Sequence, residues 1–175
     1  MAFILVVLPI SDKSTMAPPS TTGSSHESPT NHTQESRVFV AQYDSLEAIR
    51  EFVSRSAEIC DFDTKAIYAI ELATDEAFTN IVEHAYGGES SQMVECTCQI
   101  RPLSLTIILH DCGQAFDPTA VPEPNLEAPL EERETGGLGI YFMRKLMDEV
   151  HFSPAPKNSD GCNTLTMIKH REISA

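Results

Sequence analysis

The sequence predicts an α+β two-layer sandwich, a mixed, mostly antiparallel sheet with helices on one face. Three observations predict it. Segments with a period of two residues and segments with a period near 3.6 follow one another in the order β-α-α-β-β and then, after a proline-rich stretch, α-β-β. The strongest periodic signal is one long helix over residues 63–86. Of the 175 residues, 41% are hydrophobic and 22% charged, close to globular averages and enough for one domain with a buried core.

Each element has its own justification. Residues 37–41 (RVFVA) are short and β-prone, a first strand. Residues 45–60 carry Leu46, Ile49, Phe52, Val53 and Ala57 at helical spacing, with Asp44 or Ser45 as the N-cap. In residues 63–86, Ile67, Ile70, Ala73, Ala77, Phe78, Ile81, Val82 and Ala85 recur at steps of three and four, and Gly87-Gly88 closes the helix. Val94, Cys96, Cys98 and Ile100 alternate with polar residues, a strand with one buried face. Pro102 marks a turn into residues 103–110 (LSLTIILH), more apolar and so central. Residues 112–135 hold Pro118, Pro122, Pro124, Pro129 and a glutamate cluster, which reads as a long irregular lid or binding loop. A helix follows over residues 138–148, with Ile140, Met143, Leu146 and Met147 in step. Residues 150–152 and 163–170 are closing strands.

Residues 1–36 differ from this folded part, expected at 37–175. An apolar run at residues 2–8 is broken by Pro9, and a Ser/Thr/Pro/Gly/Asn-rich stretch without periodicity follows. That composition predicts a disordered tail. Nothing positive precedes the run and no clear cleavage site follows it, unlike a signal peptide. The tail holds one Lys against three acids and nets −2, so most of the total charge of −14 belongs to the domain. Such acidity repels phosphate backbones and anionic lipids, which argues against nucleic-acid and membrane-surface binding. No apolar run approaches the roughly 18 residues of a membrane span. The five cysteines are odd in number and contain no CxxC, so neither a disulfide framework nor a zinc site is expected. A reduced, cytoplasmic setting follows, with Cys96 and Cys98 as small buried hydrophobes.

Three constellations carry chemistry. On the long helix, Glu76 and Asn80 are four apart and share a face, and His84 lies four further on. A carboxylate accepts a proton, and an amide carbonyl ligates a hard cation such as Mg2+. Asp111-Cys112-Gly113 follows a strongly apolar strand, where Gly lets backbone and ligand come close and Asp can accept from an exocyclic amine. Thr135-Gly136-Gly137-Leu138-Gly139 leads into a helix, whose exposed N–H groups and positive dipole end form a phosphate cradle. This lets an acidic protein hold a polyphosphate without a basic surface. Taken singly, the three also fit a solvated helix face, a strand-end turn and a hinge. In this order those bland readings weaken.

That order resembles the GHKL superfamily of ATP-binding domains, within it most nearly the stand-alone anti-sigma factor serine/threonine kinases. Asp75-Glu76-Ala77-Phe78-Thr79-Asn80 with His84-Ala85-Tyr86 resembles their N box. Asp111-x-Gly113-x-x-Phe116-Asp117-Pro118 resembles the first glycine box, Gly136-Gly137-Leu138-Gly139-Ile140 the second, and Gly161-Cys162-Asn163-Thr164-Leu165-Thr166 the terminal box. The resemblance covers residues 37–171 and implies a Bergerat-type ATP-binding fold with ATP and Mg2+ as cofactors. It implies Asn80 as the Mg2+ ligand, Glu76 as the general base toward an acceptor hydroxyl, and Asp111 on the adenine amino group with Gly113 beneath the ring. It further implies Thr164 supporting Asp111 or an adenine-bound water, the phosphates wrapped by Gly136, Gly137, Leu138 and Gly139, and His84 near a phosphate. The implied partners are a STAS-domain anti-anti-sigma-type protein as substrate, a sigma factor or equivalent regulator, and a second copy of the chain in a homodimer. The alternative is a nucleotide-gated anti-sigma or adaptor protein with little kinase activity. Cys112 departs from the box, placing an oxidisable thiol beside the pocket.

Overall fold

The computed structural model describes residues 33–122, 138–156 and 161–172. Its strands are β1 (Thr33–Val40), β2 (Met93–Arg101), β3 (Ser104–Asp111), β4 (Glu149–Ser153) and β5 (Asn163–His170). They form one sheet in the order β1-β2-β3-β5-β4, and every described pairing is antiparallel. The architecture is α+β, with β3 at the centre, where its apolar run placed it. No parallel pair occurs among the described strands.

Strand alternation sorts the sheet into two faces. Val94, Cys96, Cys98 and Ile100 of β2 and Leu105, Ile107 and Leu109 of β3 are buried on the inner face. They share one core cluster with Ile49, Phe52, Val53 and Ala57 of α1 (Leu46–Ile59) and Ile70, Ala73, Ala77 and Phe78 of α2 (Thr64–Asn80). Phe52 and Phe78 are among the largest fully buried side chains. Burial of such a side chain stabilises by about 1.5–3 kcal/mol. The third helix, α3 (Leu138–Leu146), adds Ile140 and Met143 and packs along α2.

The boundaries depart from expectation where polar contacts outrank periodicity. β1 starts at Thr33, four residues inside the predicted tail, because Thr33–Ser36 pair with Thr97–Ile100 and the ladder satisfies a polar backbone as well as an apolar one. Residues 1–32 of the predicted tail lie outside the described residues, as do residues 123–135 of the predicted lid. α1 has Ser45 at its N-cap without a side-chain bond, and a 3-10 turn, Tyr43–Ser45, leads into it. α2 is capped by Asp63, which accepts the Ala66 N–H at 2.7 Å. After Asn80 the helix widens into one π turn, Ile81–Ala85, with Tyr86 N–H donating to the Ile81 carbonyl at 3.1 Å. Gly87 (φ 72°) and Gly88 (φ 131°) then end it in backbone regions that side chains disfavour. α3 stops two residues early because Lys169 Nζ caps the Leu146 carbonyl at 2.8 Å and Asp148 turns to accept the His170 N–H at 2.6 Å.

The cysteines bring a correction. Cys112 and Cys162 form a disulfide across 50 residues. Cysteine spacing gave no sign of it. The β3–β5 register sets Asp111 opposite Asn163, so the next residue outward on each strand meets its counterpart. Cys60, Cys96 and Cys98 are free and buried, as small hydrophobes in the core.

Candidate functional site

A cleft of ≈ 290 Å³ opens between α2 and the end of the sheet nearest Asp111. Ala77, Asn80, Ile81 and Ala85 form its helical wall. Asp111, Phe116, Pro118, Phe152 and Leu165 form the rest. Seven of these nine side chains are apolar; Asn80 and Asp111 are the polar ones. An apolar slot with a few convergent polar groups is the usual form of a small-molecule site.

Asp111 is buried at 4% exposure and is fixed from two sides. Its Oδ1 accepts the Gly113 N–H at 3.0 Å and the Asn163 Nδ2–H at 3.0 Å. Asn163 also donates to the Gly113 carbonyl at 3.1 Å, and its own carbonyl accepts from Ala155 N–H at 3.0 Å. This corrects the role implied for Thr164. Successive residues of a strand face opposite ways, so Thr164 stands on the outer face, hydrogen-bonded to His110 Nδ1 at 2.9 Å. Asn163 takes the supporting position. Its place opposite Asp111 was readable only from the strand register, not from its own sequence context.

Gly113 is required by close packing against protein. A Cβ there would sit 2.5 Å from the Ala85 carbonyl oxygen, and the neighbouring Gln114 N–H donates to that same oxygen at 2.8 Å. Tyr86 locks this loop further. Its hydroxyl accepts from Cys112 N–H and donates to the Met93 carbonyl, both at 3.1 Å. Burial raises the Tyr86 pKa, so the phenol keeps the proton it donates.

On α2, Asn80 reaches the cleft, and its amide nitrogen is buried without a partner among the described residues. A buried amide N–H left unsatisfied calls for an acceptor, such as a ligand oxygen. Glu76, one turn earlier, is half-buried and lies against α3 so closely that a Cβ on Gly139 would overlap its Oε2. Burial raises its carboxyl pKa above the ordinary glutamate range, and the charges of Asp75 and Glu83 add to the rise. Asp75 is turned the other way, its Oδ2 taking Arg50 Nε at 3.1 Å and Nη2 at 2.6 Å. His84 does not line the cleft. It lies within the π turn, exposed, with its ring 4.4 Å from that of the lining residue Phe116. Leu138 opens α3 and is exposed at 38%. Gly136 and Gly137 lie outside the described residues, as do the acidic Glu123, Glu127, Glu131, Glu132 and Glu134. Arg144 of α3 donates to the Val121 carbonyl at 3.0 Å, tying that helix to the loop that supplies Phe116 and Pro118.

A family model described as a histidine kinase-like ATPase domain matches residues 39–169. The chain is 30% identical over 103 residues to a serine/threonine-protein kinase, BtrW, of Bordetella bronchiseptica, covering 59% of this chain and 70% of that one. It is 30% identical over 93 residues to a serine-protein kinase, RsbW, of Oceanobacillus iheyensis, covering 51% of this chain and 59% of that relative. It is also 30% identical over 111 residues to an anti-sigma F factor of Clostridium novyi, covering 63% and 75% respectively. No helix among the described residues is long and apolar enough to cross a membrane.

Proposed function

Because the chain belongs to the histidine kinase-like ATPase domain family, we propose that it is an ATP-dependent protein serine/threonine kinase of a partner switch. It transfers the γ-phosphoryl group of ATP to a serine or threonine of a STAS-domain, anti-anti-sigma-type protein. It also binds a sigma factor or an equivalent regulator, which puts it in the cytoplasm. One observation carries the reading: a half-buried carboxylate of raised pKa, Glu76, stands one helical turn from Asn80, whose amide nitrogen is unpartnered among the described residues and which lines an apolar cleft ending at a fixed carboxylate, Asp111. The names of the relatives, serine-protein kinases and an anti-sigma factor, support it.

The roles follow from the chemistry of each group. Asp111, held on Oδ1 by Gly113 and Asn163, is the acceptor for the exocyclic amine of adenine, and the apolar walls of Ile81, Phe116 and Leu165 take the ring. Asn80 would hold Mg2+ through its amide oxygen, a hard donor at the cleft wall, and its buried amide nitrogen, unpartnered among the described residues, would donate to a phosphate oxygen. Bound there, Mg2+ supplies neutralisation of phosphate charge. Glu76 takes the proton of the acceptor hydroxyl. A raised pKa makes it a stronger base than an exposed glutamate. Leu138 and Gly139 at the start of α3, with Gly136 and Gly137 before them in the sequence, are the proposed phosphate wrap.

The test is the intact mass of a STAS-domain protein after incubation with this protein, Mg2+ and ATP, with Glu76→Gln in parallel. A gain of one phosphate on Ser or Thr, lost in the variant, is the expected result. A stable, nucleotide-dependent complex without phosphate transfer would replace the kinase with a nucleotide-gated anti-sigma protein, the reading that likeness to an anti-sigma factor favours.

A further inference from the structure

We infer that Cys112 and Cys162 form a redox modification site that controls nucleotide affinity, its reagent class being small disulfides and thiols of the glutathione type. The inference rests on the nucleotide-site reading and adds its regulation. The two cysteines sit one residue beyond the last register pair of β3 and β5, Asp111 opposite Asn163, and they are bonded to each other. That pair is the hydrogen-bonded couple that fixes the cleft's buried carboxylate. The covalent link therefore holds the two chain segments that present Asp111, and Gly113 beyond Cys112 is drawn into the same network through the Asn163 side chain. On the far side, the Cys112 N–H is anchored to Tyr86, next to lining residue Ala85.

Reactivity is confined to this pair. Cys112 is exposed and Cys162 half-buried, whereas Cys60, Cys96 and Cys98 are all buried. A disulfide in a reducing cytoplasm is generally transient or redox-sensing rather than structural. The step balances by exchange. One cysteine thiolate attacks the small disulfide, whose S–S bond breaks, leaving a mixed disulfide and one small thiolate. The second cysteine attacks the protein-side sulfur of that mixed disulfide, forming the Cys112–Cys162 bond and releasing the second small thiolate. The protein loses two electrons and the reagent gains them. The two protons end on the released thiols.

Closing the bond removes conformational freedom from the segments around Asp111, so the oxidised protein binds nucleotide with less ordering left to do. Opening it leaves the same contacts to be assembled on binding. The expected difference is about fivefold or more in affinity, the usual lower bound for coupling between two sites.

The full-length protein is prepared with oxidised glutathione and, separately, with a phosphine reductant, and each form is titrated with ADP and Mg2+ by calorimetry. Native thiol counting and peptide mapping are run on both. The expected result is a 112–162 disulfide peptide in the oxidised form, two additional accessible thiols in the reduced form, and at least about fivefold tighter ADP binding when oxidised. Cys112→Ser and Cys162→Ser, singly and together, should bind like the reduced wild type under both treatments. Equal affinity in the two wild-type forms would overturn the switch and leave the nucleotide reading standing. A redox shift that persists in the serine variants would overturn the assignment to this pair. No binding in either form would overturn the nucleotide reading and the switch with it.

Discussion

Asn163 does three jobs with one buried side chain: it accepts from Ala155 N–H and donates to both Asp111 and the Gly113 carbonyl. Truncation would strip partners from a carboxylate, a carbonyl and an N–H at once. Unmet buried groups cost about 1–3 kcal/mol each, and these three share surroundings, so Asn163→Ala should destabilise by about 2–3 kcal/mol in urea unfolding. It should also weaken ADP binding. Thr164→Ala removes only an outer-face bond to His110 and should cost under about 1 kcal/mol, with ADP binding unchanged. If the two variants behaved alike, Asp111 would have to be held by something other than Asn163. Glu76 supports a pH prediction. Its carboxyl pKa is raised, chiefly by burial, so the stability it contributes is complete below the ordinary glutamate pKa and fades as pH rises through the raised value. Above that raised value the ionised side chain is therefore a liability in the free protein. Glu76→Gln should melt higher than wild type at pH 7, and the gain should vanish toward pH 4, about the ordinary glutamate value. Phosphotransfer should move the opposite way, falling about 100-fold or more when the base is lost. A variant that melted lower at pH 7 would contradict the burial argument.

Two glycines show how elements meet at the site, and they should respond differently to the same change. A Cβ on Gly113 would press on the backbone of Ala85, in the π turn, which cannot move aside. Gly113→Ala should destabilise by about 1–3 kcal/mol, the usual cost of overpacking. A Cβ on Gly139 would meet only the end of the Glu76 side chain, which can swing away. Gly139→Ala should therefore leave stability nearly unchanged, since alanine favours the helix by about 0.5–1 kcal/mol over glycine, while displacing the carboxylate from α3. Thermal melts and phosphotransfer rates separate the cases: Gly113→Ala should lower the melting temperature, and Gly139→Ala should lower kcat by about tenfold or more, as misplacement of a catalytic group does. Much at this scale was legible in the sequence, because periods of two and 3.6 name strands and helices directly. Glu76, Asn80 and Asp111 were legible as chemical groups at helical and strand-end positions. The π turn was not, since Ile81, Val82 and Ala85 continue the helical rhythm whichever way the backbone winds. The Cys112–Cys162 bond and the part played by Asn163 depend on β3 lying beside β5, a pairing between strands more than 50 residues apart that no local pattern encodes.

Across the whole molecule, stability is unevenly distributed, and the site sits at the boundary. β2 and β3 are flanked on both sides by other strands and covered on the inner face by α1 and α2. α3 is nine residues long, shorter than the roughly 12–15 at which an isolated helix becomes even marginally stable, and it depends on packing along α2. It buries Ile140 and Met143 but leaves Leu138 and Phe142 exposed at 38% and 45%. Its other ties are the Arg144 bond to Val121 and the Lys169 cap at Leu146. Such an element opens at lower free energy than the sheet. Native-state hydrogen exchange should therefore show α3 amides exchanging through local opening, while the central amides of β2 and β3 exchange only on global unfolding. Mg2+ and ATP should slow exchange at the start of α3 far more than at β3, because phosphate contacts there would order a helix whose own packing does not. Ligand that stabilised all segments equally would place the nucleotide away from α3. Protection in α3 matching that of β3 without ligand would mean that the helix is already part of the global folding unit, and that nucleotide does not order it.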